Sequence, residues 1–161
     1  MSSTNWRTGS PADAGASLPR ALTRVLEEGF FGIAEEVGDD RWTAICESQD
    51  GWLEAAVEFR GELRGTLRCR LPRALAGELA SAFVGIDIGK LDPTGRLVDD
   101  LTGEFANMVC GCWVTTLGAD SAFELDHPTV IAAPAAECGD SWRRLELNGM
   151  PLGIELTVRE A

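Results

Sequence analysis

Positive charge is scarce in this chain: Lys90 is its single lysine, and 14 basic residues stand against 26 acidic ones for a formal net charge of −12. That shortage excludes a nucleic-acid binder, because neutralising phosphates takes clustered lysines and arginines. It sets the chain equally against an anionic membrane surface, and for a protein partner it implies little beyond solubility. No apolar run approaches the roughly eighteen residues of a membrane-crossing helix. The N-terminal stretch has no apolar segment of the kind a secretory signal needs, so a cytoplasmic location is expected. His127 is the single histidine; followed by Pro128, it reads as the start of a strand rather than as a general base. A Ser-centred elbow and a glycine-rich nucleotide loop are both missing, which excludes the corresponding hydrolase and nucleotide-binding chemistries. The cysteines lack a pattern too: Cys46, Cys69, Cys110, Cys112 and Cys138 are odd in number and irregular in spacing. They read as reduced, mostly buried thiols. Cys110 and Cys112, two apart on a helix, point to different sides with no partner motif following, so a metal pair is not expected.

What is present is enough apolar content for one core. The chain has 161 residues and is 45% hydrophobic, which favours a single domain. Residues 1–17, rich in Ser, Thr, Gly, Ala and Pro, are expected to form a disordered arm, and 18–161 the domain. Ser17 reads as an N-cap to a first helix over 18–37, closed by Gly38. Residues 41–48 read as a strand. Leu53, Ala55, Val57 and Phe59 alternate with polar neighbours, as do Leu63, Gly65, Leu67, Cys69 and Leu71; this predicts two strands joined by a two-residue turn at Gly61-Glu62. Pro72 opens a second helix to about Val84. A third helix over 96–117, short strands near 122–125 and 129–132, and a closing hairpin turning at Asn148-Gly149 complete the pattern. The expectation is a two-layer α/β (α+β) domain with a mainly antiparallel sheet.

The third helix carries two stripes. At roughly 100° per residue, Leu101, Phe105, Met108, Val109 and Cys112 gather on one side, as in a helix buried along one face. Asp100, Glu104, Asn107 and Gly111 form a narrower stripe about a quarter turn away, expected at the rim of the core. Glu104 and Asn107, three apart, are side-chain neighbours. A carboxylate beside a carboxamide, with a glycine one turn on, makes a flat polar patch that another molecule's backbone could approach. On spacing alone the pair reads as an ordinary solvated helix face. Asp99 and Asp100 read as first-turn carboxylates favoured by the helix dipole, with a second catalytic role for Asp100 as the alternative.

Glu104-x-x-Asn107 with Gly111 four residues on resembles the signature of the CheC/CheX/FliY chemotaxis phosphatases, single-site CheX-like members in particular. The paired strands from Trp52 to Leu67, the helix around Ala74–Ala80 and the proline-led strand at His127-Pro128-Thr129-Val130-Ile131 are similar to that family in the same order. The resemblance implies a pseudo-repeat, each half with one long helix, here 18–37 and 96–117. The first helix offers Glu27 or Glu28 with phenylalanine three residues later, so only the second would carry a site. It also implies hydrolysis of the aspartyl phosphate on a CheY-type receiver domain. Asn107 would enter the phosphorylated pocket and orient the attacking water, and Glu104 would pair with the lysine lining that pocket. Asp100 and Gly111 would be partner-contacting positions. The receiver would bring the aspartyl phosphate and Mg²⁺, so no cofactor or metal of the chain's own is expected. A homodimer joined through sheet edges is implied as well. Trp113 is bulkier than the family usually has at this position. The competing expectations are a non-catalytic adaptor of the same fold, binding a receiver or flagellar switch component, and a domain whose partner lies outside chemotaxis.

Overall fold

The computed structural model describes residues 11–118, 122–133 and 138–160. Its centre is an antiparallel sheet in the order β1-β6-β7-β3-β2-β4, with β5 pairing the other end of β2. The strands are β1 (Ala34–Glu36), β2 (Trp52–Gly61), β3 (Leu63–Pro72), β4 (Phe123–Leu125), β5 (Thr129–Ala133), β6 (Trp142–Leu147) and β7 (Met150–Glu160). Alternation sets the register and the faces. In β2 and β3, Leu53, Ala55, Val57, Leu67, Cys69 and Leu71 are all at most 1% exposed, and they pair across the ladder as Leu53 with Leu71, Ala55 with Cys69 and Val57 with Leu67. A one-residue slip would turn this whole set to the outer face. Asn148 and Gly149, both at positive φ (54° and 77°), make the two-residue β6–β7 turn, the geometry a tight hairpin prefers.

Helices α1 (Leu18–Val25), α3 (Arg73–Val84) and α4 (Arg96–Thr115) cover the inner face. Buried Leu22, Leu75, Phe105, Val109 and Trp113 join the strand side chains in one core; fully burying a side chain of this size contributes roughly 1.5–3 kcal/mol. The antiparallel α/β architecture therefore matches the expectation, as does the span of the site helix.

Four local readings are corrected. The first helix does not reach Val37. After Val25 it widens into a π turn, Leu26–Phe30, and stops at Phe31 (φ 54°). Leu26 O accepts from Gly32 N at 3.0 Å, and a Cβ on Gly32 would lie 2.9 Å from Leu147 Cδ1. The left-handed Phe31, not Gly38, ends the helix; Gly32 then passes close to Leu147 of β6, and β1 follows. Residues 41–48 are not a strand: α2 spans Asp39–Glu47 with Gly38 as its N-cap and Asp39 and Asp40 in its first turn. It packs on the outer face of the sheet, where Trp42, Ile45 and Cys138 form a small second cluster with Trp142, so the fold is two layers with one added helix. The β2–β3 connection is longer than two residues, because their pairing stops at Phe59–Gly65. Gly61 turns instead to β4, and Leu63 to β7. Within the expected disordered arm, residues 11–17 are a 3₁₀ helix with Ala14 buried at 1% exposure; residues 1–10 lie outside the described residues.

Candidate functional site

The site helix is α4. Gly95 caps its start and Asp99 lies in its first turn, where a carboxylate is favoured by the unpaired N–H groups. Its buried face is Val98, Thr102, Gly103, Phe105, Ala106, Val109, Cys110 and Trp113. Leu101, Met108 and Cys112 are only half-buried. The core side is thus turned by roughly 90° from the stripe expected at Leu101-Phe105-Met108-Cys112. Small residues account for the difference: Thr102, Gly103, Ala106 and Cys110 let the helix sit close to the sheet, and none of them weighs heavily in a hydrophobicity pattern. Thr102 stays compatible with burial because its Oγ1 donates to Val98 O at 2.7 Å.

This rotation moves the polar stripe. Asp100, Glu104, Asn107 and Gly111 lie not at the rim but nearly opposite the core, roughly 160° from its centre. Glu104 and Asp100 are exposed; Asn107 and Gly111 are half-buried. Among the described residues neither Glu104 nor Asn107 has a hydrogen-bond or ion-pair partner, so both polar heads are available to another molecule. Asp100 lies 3.8 Å from Arg96 Nε, with the two side chains 64% and 93% exposed, a pair that contributes little to stability. Asp99 is engaged elsewhere: Arg73 Nη1 donates to its Oδ1 at 3.3 Å and to Pro93 O at 3.3 Å, tying the start of α3 to the first turn of α4.

The two glycines of α4 differ. A Cβ on Gly103 would lie 3.2 Å from both Pro128 Cγ and Val130 Cγ2, tighter than an ordinary contact, so α4 packs closely against the start of β5 at this glycine. A Cβ on Gly111 would meet nothing within 4 Å. Internal packing therefore gives no reason for Gly111, although a helix-interior glycine costs about 1 kcal/mol relative to alanine.

Trp113 does not crowd the stripe. It is 0% exposed in the core, its Nε1 donates to Ala14 O at 2.8 Å, and its ring meets Phe59 edge-on at 5.0 Å. His127 is exposed between β4 and β5. Burial pushes the Cys110 thiol up to about 12 and raises Cys69 strongly as well, with Cys110 adding to the effect; Cys112 is raised by burial to a lesser extent. Among the described residues no group of three or more His, Cys, Asp or Glu could hold a metal ion, and no helix is long and apolar enough to cross a membrane.

The sequence matches the family profile described as chemotaxis phosphatase CheX over residues 53–141, more than half of the chain and including Glu104, Asn107 and Gly111. No curated protein matches it. Among solved structures, chemotaxis protein CheX from Vibrio vulnificus is similar with a TM-score of 0.68 at 18% identity, over 94% of this chain and 100% of that one. CheX from Desulfovibrio desulfuricans superposes with a TM-score of 0.66 at 16% identity, over 91% of this chain and 99% of that one. The CheX–CheY–BeF3–Mg²⁺ complex from Borrelia burgdorferi gives a TM-score of 0.62 at 17% identity, over 94% of this chain and 99% of that one. At such identities the structural likeness speaks for the fold, and the profile speaks for the family: this protein belongs to the CheX family of chemotaxis phosphatases.

Proposed function

We propose that the chain hydrolyses the aspartyl phosphate of a CheY-type receiver domain, with Asn107 orienting the attacking water and Glu104 docking against the receiver's pocket lysine. The observation that carries this reading is the unpartnered Glu104–Asn107 pair on an outward-facing stripe of α4, within the segment that matches the family. The chemistry fits. Phosphoryl transfer asks little covalent work of a catalyst; it needs a water held in line with the phosphorus. A carboxamide accepts through its oxygen and donates through its nitrogen, so one side chain can hold that water in a fixed orientation. A carboxylate one turn away, facing a cation, fixes the register of the two proteins. Asp100 and Gly111 extend the contact, the first with charge and the second by letting backbone approach. In this reading the receiver brings Mg²⁺ with its phosphoryl group, and the chain works in the cytoplasm. A homodimer would form through a sheet edge; among the described residues β1 is one such edge and β5 another.

The test is the decay of a labelled phospho-receiver with and without the protein, alongside a binding titration of wild type and Glu104→Lys. Faster decay with wild type, and loss of binding on charge reversal with the fold intact, are expected. Binding without accelerated decay would instead favour the adaptor of the same fold. Unchanged affinity of Glu104→Lys would remove Glu104 from the interface.

A further inference from the structure

Beside the polar stripe, the same helix leaves an apolar band only partly covered. Leu101 and Met108 stand three residues before and four after Glu104, so both are its side-chain neighbours, at roughly 5–6 Å between Cβ atoms. Both are half-buried. Leu97, one turn before Leu101 on the same flank, is 40% exposed. The C-terminal end of α3 continues the band. Phe83 is 41% exposed and Val84 38%. The Phe83 ring stacks on Phe30 at 5.1 Å, and Phe30 in turn meets Phe105 of α4 edge-on at 5.3 Å. A Cβ built on Gly29 would touch Met108 Cε at 3.3 Å and the Phe83 ring at 4.0 Å, which places Phe83 against the Met108 flank of α4.

We propose that Leu97, Leu101 and Met108 of α4, with Phe83 and Val84 of α3, form the affinity half of the receiver interface. Glu104 and Asn107 supply orientation and chemistry, and an apolar strip of the same receiver covers the band. This rests on the function proposed above. Continuity identifies the occupant. A standard protein interface covers about 800 Å² on each partner, a footprint reaching well beyond one helical turn from its centre. A receiver seated on Glu104 and Asn107 therefore lies over Leu101 and Met108 and, roughly 10 Å along the axis, over Leu97. A band of exposed and half-buried apolar side chains running beside an unpartnered polar pair has the anatomy of an interface: desolvated anchors give the affinity, and the polar groups give the register.

Leu97→Gln and Val84→Gln test this in the full chain, since glutamine forms helix about as well as leucine and better than valine. Binding of the receiver in its beryllofluoride–Mg²⁺ form is titrated, decay of phospho-receiver is measured at saturating protein, and melting is followed by circular dichroism. The expected result is about tenfold weaker binding for each variant, with the decay rate at saturation and the melting temperature unchanged. Unaltered affinity in both variants, with wild type binding and accelerating decay, overturns the apolar band while leaving the proposed function standing. Unaltered affinity together with a shift from dimer to monomer in light scattering overturns it in favour of a second copy of the chain. Failure of wild type itself to bind overturns both.

Discussion

The two glycines of the site helix should respond differently to alanine. At Gly111 the added Cβ meets nothing within 4 Å, so Gly111→Ala keeps only the gain in helix propensity, about 1 kcal/mol. In a domain of this size that amounts to a rise of roughly 2–4 °C in melting temperature. At Gly103 the same methyl would sit 3.2 Å from Pro128 Cγ and Val130 Cγ2. Those atoms have little room to retreat, because β5 is held by its ladder with β2 from Ala56–Thr129 to Trp52–Ala133. Overpacking of this kind costs about 1–3 kcal/mol, which cancels or exceeds the propensity gain, so Gly103→Ala should melt at or below the wild-type temperature. If Gly111 faces the receiver's backbone, its alanine variant will be the more stable protein and the weaker binder. Thermal melts and a receiver titration on the same samples separate the two effects. A lower melting temperature for Gly111→Ala would refute the open position. Stabilisation without loss of affinity would remove Gly111 from the partner interface.

Trp113→Phe removes the indole N–H that Ala14 O accepts at 2.8 Å and shortens a fully buried side chain. A loss of about 1–3 kcal/mol in urea unfolding is expected, and wild-type stability would show that the N-terminal 3₁₀ segment is not held by this bond. Alkaline pH should also destabilise the fold. Burial raises the thiols of Cys138 and Cys110 from an ordinary 9.0 to about 11 and about 12. The protonated thiols therefore favour the folded state fully below pH 9.0, and that contribution is lost as pH climbs through those raised values. With no tyrosine and one lysine in the chain, few other groups titrate there, and a urea midpoint that stays flat from pH 8 to 12 would contradict the burial of these thiols.

The strands with clean two-residue alternation were legible in the sequence, because each buries one face and exposes the other. So were the N-terminal limit of α3 at Pro72 and the Asn148-Gly149 turn, where residue type dictates backbone geometry. What misled was punctuation shared between neighbours. Gly38 reads equally as the end of one helix and the cap of the next, and choosing the first hid α2, although Trp42, Ile45 and Cys46 at three- and four-residue spacing behind Asp39 and Asp40 carry a helical signal. The stop after Phe30 comes with Phe31 in the left-handed conformation, which a bulky aromatic residue rarely adopts and so does not signal. On the site helix, spacing alone makes Glu104 and Asn107 neighbours, but it does not set the direction they face. The core face is built partly from Thr102, Gly103, Ala106 and Cys110, whose smallness admits close packing without marking an apolar stripe. The apolar band at Leu97, Phe83 and Val84 was invisible for a related reason: a sequence pattern cannot tell an apolar side chain that enters the core from one that stays at its edge.

Asn107→Ala isolates the carboxamide proposed to position the water that attacks the receiver's aspartyl phosphate. The carboxamide's contribution belongs mainly to the transition state, so its removal should be felt in rate rather than in affinity. Alanine is the better helix former and the side chain lies outside the core, so the fold should be unaffected. The measurement is the decay of labelled phospho-receiver in buffer, with wild type and with Asn107→Ala, at protein concentrations where binding of both is saturated. Wild type should accelerate decay and Asn107→Ala should leave it at the buffer rate; equal acceleration by the two proteins would show that Asn107 does not position the water.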